Sequence, residues 1–324
     1  MTTHRYRPTV LFAVCMAAAC TAALAAERRV PEMPPPGETI RVIIDTDAAC
    51  EIDDLYAIAL AVLAQDRFEI EGFVAAHFGD AGGPEGIEKS LAAIQTVLDR
   101  AGMAGRFPVK RGSHPLQYST VPENSEGVDF ILQRASAKVD DRPLWIISLG
   151  ACTDVACAYL TQPEIADRVV VFWHGRTQWP DKAWNFNAYN DLKAVRILFS
   201  SNLPLILFDT GTELYCPMDE SEREIKPHGR LGGYLHEFRY RNASFQSPKK
   251  GFFDLGDIAA IIDPSLAKSE VVPAPTVNWD MLYNHRQSHG RMLRIHHIDR
   301  DGAFALLYAR LREHNAVKAP SRSE

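Results

Sequence analysis

The sequence predicts an α/β fold: a single domain built on a mostly parallel central sheet with helices on both faces. Three observations point there. Short apolar runs alternate with helical patterns from residue 39 to residue 262. Polar and acidic clusters fall where the apolar runs end, the edge at which open α/β sheets bind ligands. No Pro/Gly-rich linker divides residues 38–315, so this stretch reads as one unit.

The elements follow in order. Residues 39–45 form a strand, because Ile40, Val42, Ile43 and Ile44 make a short buried-type run. Residues 53–64 form a helix, with Leu55, Ile58, Ala59, Val62 and Leu63 on one face. A strand over 68–76 and a helix over 86–100 repeat the unit. Residues 128–137 are helical through Val128, Ile131 and Leu132. Residues 144–149 are a buried strand, followed by a helix over 153–160. Residues 168–173 form a strand, 192–200 a helix and 205–208 a strand. Another helix opens at Asp257 and runs to Ile262.

The ends of the chain read differently. His4, Arg5 and Arg7 precede an Ala-rich apolar run over 10–24 and the small-x-small pattern Ala23-Leu24-Ala25. Residues 1–25 therefore read as a secretory signal peptide, and the protein as exported, periplasmic or secreted. The run is short for a membrane anchor, so no stable membrane span is expected. Lipoprotein anchoring at Cys20 fits less well, because Ala17-Ala18-Ala19-Cys20 lacks the usual Leu. Residues 26–37, with Pro31, Pro34, Pro35 and Pro36, read as a stiff linker, and 316–324 as a polar tail. Cleavage removes two arginines and no acid, taking the net charge from −6 to −8. With no basic patch, nucleic acid is not an expected partner.

The loop from Asp45 to Asp54 carries the chemistry. Asp45, Asp47, Asp53 and Asp54 stand between a strand and a helix, with no histidine or thiolate pair beside them. Clustered oxygen ligands suit a hard cation, calcium or magnesium, better than zinc. Polar clusters at His77-Phe78-Gly79-Asp80, at residues 150–154 and at residues 174–187 are brought to the same sheet edge by a parallel topology. Outside the signal peptide the cysteines are Cys50, Cys152, Cys157 and Cys216, whose spacing is no zinc or redox motif. Buried free thiols are the simpler reading, and a Cys50–Cys152 disulfide the alternative.

These segments resemble the inosine–uridine-preferring nucleoside hydrolase family. Asp45-Thr46-Asp47 and Ile52-Asp53-Asp54 are similar to its opening Asp-Thr-Asp-Pro-Gly-x-Asp-Asp, with a loop two residues longer. Arg111 to Leu116, Glu126 to Ile131, Leu149 to Asp154 ("LGPLTN" in the family), Asn185-Phe186-Asn187 ("EFN") and Gly256 to Ala260 ("HDPLA") follow in order. The resemblance implies a calcium-dependent hydrolase of nucleosides, freeing base and ribose through an oxocarbenium-like transition state. It implies that Asp47 binds calcium and acts as base, and that Asp54, the Thr153 carbonyl and Asp257 complete the ligand set. Asp53 and Asn187 would bind ribose hydroxyls, and Asp45 would orient the loop from behind. Asn185 stands where the family has Glu, and Asp80 where it has Asn; both are expected at the substrate. Gly256 stands where many relatives have a histidine that assists the departing base. Trp184, Trp179, Tyr240, His77 and His174 are the candidates to replace it, and residues 172–183 to shape the base pocket. Relatives are often dimers or tetramers, which implies a possible homo-oligomer. A hydrolase of another ribosyl or glycosyl bond, or a non-catalytic calcium-dependent nucleoside-binding protein, fits the same residues.

Overall fold

The computed structural model describes residues 27–137 and 140–318. The chain runs β1 (Ile40–Thr46), α1 (Asp53–Leu63), β2 (Phe68–Ala75), α2 (Gly79–Gly82), α3 (Gly86–Arg100), β3 (Val109–Arg111), α4 (Glu126–Ser136), β4 (Leu144–Ser148), α5 (Thr153–Thr161), β5 (Val169–His174), α6 (Phe186–Asn190), α7 (Leu192–Ser200), β6 (Leu205–Phe208), α8 (Met218–Glu224), α9 (Gly229–Arg241), α10 (Phe253–Ile262), β7 (Ala267–Val277), β8 (Tyr283–Ile298) and α11 (Arg300–Lys318). One eight-stranded sheet has the order β3-β2-β1-β4-β5-β6-β8-β7. Every pairing is parallel except β7 with β8.

Alternate residues of each strand serve opposite faces of the sheet. Val42 and Ile44 join Phe73, Ile147, Phe172 and Phe208 in the core beneath α1, α3, α10 and α11. Ile43 joins Val74, Ile146, Val171 and Leu207 in the core beneath α4, α5 and α7. Helices on both faces explain why β1 is buried along its whole length and reads as an unbroken apolar run. The chain leaves β1 towards β2 and β3 on one side, then returns to β4 and onward on the other. The β1–β4 junction is thus the switch point, and the loops after these strands face each other across its crevice.

The expected strands and helices up to residue 208 are present, with ends shifted by one or two residues. The differences lie beyond and between them. α10 begins at Phe253, not Asp257, because its first amides are capped from far away: Asp53 Oδ2 accepts from Phe253 N at 3.1 Å and Asp254 N at 3.5 Å. A cap supplied by a residue 200 positions earlier leaves no local start signal. β7 and β8 carry no strand signal in the sequence, since only a minority of their residues are buried and β7 carries Pro273 and Pro275, which an edge strand tolerates. α11 buries Ala303, Phe304, Leu307 and Leu311, a helical pattern already present in the sequence.

The segment expected to be a stiff linker lies against the domain. Pro31 and Pro34 are buried. Arg28 Nη2 donates to the carbonyls of Leu198, Phe199 and Ser201 at the end of α7. Arg67 donates to Pro34 O (2.7 Å), Pro35 O (2.6 Å) and Ile261 O (2.9 Å), and also to Glu38 O. Residues 316–318 continue α11. The expected signal peptide, with Cys20, and the rest of the tail lie outside the described residues. Among the described residues, no helix is long and apolar enough to cross a membrane.

Arg67 thus fixes the N-terminal segment to the end of α10. Arg67→Met keeps the apolar stem and strands these carbonyls. It is expected to lower the unfolding free energy by about 1–3 kcal/mol in urea denaturation; an unchanged midpoint would show that the segment contributes no stability.

Candidate active site

Four carboxylates meet at the switch point. Asp47 leaves the end of β1, Asp53 and Asp54 open α1, and Asp254 comes from the first turn of α10. All are buried, with 2–5% of their surface exposed. The first turn of a helix is where backbone amides favour negative charge. Carboxylate oxygens of Asp53, Asp54 and Asp254 lie within 4.8 Å of one another. Asp54 Oδ1 accepts from the Thr46 hydroxyl. Asp53 spends Oδ2 on the α10 amides, while its Oδ1 makes no hydrogen bond and lies 3.6 Å from Lys250 Nζ. The β4 loop comes so close that a Cβ on Gly150 would sit 2.8 Å from Asp47 Oδ1.

Burial and mutual repulsion raise Asp47, Asp54 and Asp254 together. Asp47 is pushed well above the usual carboxylate range, first by burial and then by Asp54. Asp54 rises to about 7 through burial and Asp53, with the Thr46 hydroxyl opposing. Asp254 is raised by burial and then by Asp54. Beneath them Asp45 is fully buried, accepts from Ser148 Oγ at 3.0 Å, and is raised by burial and by Asp154. This is the expected position behind the loop.

A pocket of about 530 Å³, partly open to solvent, stands over the cluster. Leu149, His174, Arg176, Asn187, Phe186 and Phe253 contribute to its wall. Asn187 Nδ2 donates to Leu149 O (2.7 Å) and His174 O (3.2 Å), which fixes its amide at the pocket wall. Asn185 also reaches the wall, but its polar ends are spent locally: Oδ1 caps α6 at Ala188 N (2.9 Å) and Nδ2 donates to Ala183 O.

The structure corrects several expectations. Asp257, expected as a ligand, is fully buried and outside the pocket wall, with Oδ2 2.7 Å from His174 Nδ1; with His174 and Asp254 it forms a second group whose ligand atoms lie within 4.8 Å of one another. Burial raises it to about 6, with His174 opposing. Asp254 takes the place at the cluster, so the residue preceding the site aspartate is Phe253, not Gly256. Thr153 is also absent from the wall. It opens α5, and its hydroxyl accepts from His77 Nε2 (2.8 Å) and donates to Asp191 Oδ2 (2.8 Å). Leu149, at the end of β4, holds the wall instead. Asp80 is exposed in α2 and lies outside the pocket wall.

The aromatic candidates divide similarly. Trp184 is 52% exposed and off the wall, where its neighbour Phe186 stands. Trp179 packs edge-on against Tyr283 and His285, and Tyr240 stacks on His236. His77 accepts from Gly79 N at 3.1 Å and is pushed down to about 4 by burial, so it serves the Thr153–Asp191 chain in neutral form. Only His174 of this group reaches the pocket. Among the described residues the four cysteines Cys50, Cys152, Cys157 and Cys216 are free, so Cys50 and Cys152 are not bridged. Burial pushes the Cys50 thiol up, reinforced by Asp47 and Asp54.

Sequence reasoning missed Asp254, Phe253, Leu149 and Arg176. Asp254 and Asp257 stand three residues apart in one acidic run, and helical geometry alone decides which faces the pocket. Asp53, Asp54 and Asp254 offer a donor set that is all oxygen, buried and like-charged, and includes Asp53 Oδ1, which makes no hydrogen bond. That set fits a hard divalent cation. Asp254→Ala is expected to lower divalent-cation affinity about 10²-fold in calorimetric titration, whereas Asp80→Asn leaves it within about twofold. A smaller loss for Asp254→Ala than for Asp80→Asn would overturn Asp254 as a ligand.

Structural comparison places this arrangement among known folds. A purine-preferring ribonucleoside hydrolase from Gardnerella vaginalis superposes with a TM-score of 0.68 at 19% identity, covering 86% of this chain and 99% of the other. A plant nucleoside hydrolase gives 0.67 at 18%, covering 85% and 99%. An inosine-uridine preferring nucleoside hydrolase from Bacillus anthracis gives 0.62 at 14%, covering 85% and 100%. No curated protein matches the chain. The sequence model of the inosine-uridine preferring nucleoside hydrolases matches residues 42–303, most of the chain, and the protein belongs to that family of N-glycosyl hydrolases.

Proposed function

We propose that the protein is a calcium-dependent hydrolase of ribonucleosides, freeing base and ribose, and that residues 1–25 direct its export. The observation that carries the first part is the buried carboxylate cluster of Asp47, Asp53, Asp54 and Asp254 beneath an open pocket. Four acids packed together out of water are costly unless a cation neutralises them. Asp47, Asp54 and Asp254 would hold it, with Asp53 beside them. A bound calcium ion would supply positive charge to acidify a water and to orient the sugar hydroxyls. Asp47 is placed to accept the proton of the attacking water, since it faces the pocket at the end of β1. Asn187, whose Nδ2 is spent on two backbone carbonyls, would accept from a ribose hydroxyl through Oδ1. Gly150 keeps the space that Asp47 needs.

The test is base release from a panel of purine and pyrimidine nucleosides, with calcium and after chelation. Calcium-dependent turnover is expected, and Asp47→Asn is expected to reduce kcat about 10²–10⁴-fold without loss of fold. Calcium binding without turnover on any nucleoside would replace this reading with a binding protein or a hydrolase of another glycosyl bond.

Stability carries an independent signature. Asp54 (about 7) and Asp257 (about 6) hold protons in the folded state that the unfolded chain has released above the usual carboxylate range. Cation-free protein therefore loses stability as pH rises towards 7. His77 opposes this weakly: its folded value of about 4 lies below 6.5, so its contribution is present above 6.5 and is lost as pH falls from 6.5 to 4. The chelated protein is expected to melt at a higher temperature at pH 6 than at pH 8. The gain in Tm on adding calcium is expected to be larger at pH 8, because binding must displace fewer protons. A calcium effect independent of pH would contradict carboxylate ligation.

A further inference from the structure

Resting on the hydrolase reading, we infer that Arg176 receives the departing base, binding its oxo edge and stabilising the negative charge that develops there. The position preceding the site aspartate is Phe253, so no imidazole stands there to protonate the base. Arg176 is the only arginine or lysine on the pocket wall among the described residues. Its guanidinium lies 3.9 Å above the Phe253 ring. Among the described residues it makes no ion pair or side-chain hydrogen bond, although carboxylates crowd the pocket floor. Its donors are thus unspent.

The backbone that presents it is built for the purpose. Arg176 has φ +42°, an uncommon conformation for a residue with a side chain. The turn is fixed on both sides. Gly175 N and Arg176 N both donate to Phe208 O, at 2.9 and 3.0 Å. Thr177 donates through its amide and its hydroxyl to Asp209 Oδ1, and Asp209 Oδ2 is locked by Arg294 Nε at 2.6 Å. The carboxylates and Asn187 occupy the buried end and Phe186 the exposed end, so ribose held at the floor directs its base towards Arg176 and Phe253.

The step balances as follows. The bond from the anomeric carbon to the base nitrogen breaks, and its electron pair goes to the base. Water oxygen bonds the anomeric carbon and its proton passes to Asp47, which returns it to solvent. The base leaves as an anion hydrogen-bonded to the guanidinium and takes a proton from solvent. Arginine stays protonated throughout, so it acts by charge and hydrogen bonding and not as an acid. A guanidinium offers only donors. It matches the adjacent oxygen and ring-nitrogen acceptors of a 6-oxopurine and opposes the amino group of adenine.

The experiment compares the whole chain with Arg176→Gln and Arg176→Lys, using inosine, adenosine and p-nitrophenyl riboside, whose leaving group needs no help. For Arg176→Gln, kcat/KM on inosine is expected to fall about 10²–10³-fold. The inosine-to-adenosine ratio is expected to fall about 10–10²-fold, while p-nitrophenyl riboside changes less than about threefold. Arg176→Lys is expected to recover part of the loss on inosine. Equal losses on inosine and p-nitrophenyl riboside, or no loss on either, would overturn the assignment. A wild-type protein that cleaves neither would overturn the hydrolase reading itself.

Discussion

The site depends on one constraint: like-charged carboxylates held together out of water. Asp47, Asp53, Asp54 and Asp254 cannot share this volume as free ions without a large cost in desolvation and repulsion. The fold meets that cost by distributing rigid partners. Thr46 binds Asp54, the α10 amides bind Asp53, and Lys250 bridges Glu51 and Asp53 from the rim. What remains is carboxylate oxygen of Asp53, Asp54 and Asp254 gathered within 4.8 Å, which is the chemistry of a hard-cation site.

The sheet supplies the convergence. β1 and β4 are adjacent strands whose connections depart in opposite directions, and this opens the crevice between their loops. Asp47 and Gly150 face each other there at a separation that admits no side chain on the glycine. α10 closes the third side because Asp53 caps it. One carboxylate therefore serves both the cluster and the placement of the helix that brings Asp254.

Behind the cluster, a separate polar network holds the loops. His77, Thr153 and Asp191 form one buried chain, in which Asp191 also accepts from Leu116 N (2.9 Å) and Ala194 N (3.0 Å). Asp209, Thr177 and Arg294 form another beneath the turn at Arg176. Such satisfied networks fix the geometry of a site whose own groups are left unsatisfied.

The sequence by itself determined the βα alternation, the acidic loop and most of the central sheet, because each is encoded locally in runs of a few residues. Asp45, Asp47, Asp53, Asp54 and Asn187 were legible for the same reason: their flanking strand and helix signals and their motif spacing are short-range. Only the tertiary structure chose Asp254 over Asp257, since both sit in one helical turn and differ only in the direction they face. It likewise put Leu149 in place of Thr153, moved Asp80 out to solvent, and turned Arg176 over Phe253. Those outcomes depend on contacts between residues about 80 to 200 positions apart, His174 with Asp257 and Asp53 with the α10 amides among them. No window of sequence contains both partners, and packing alone brings them together.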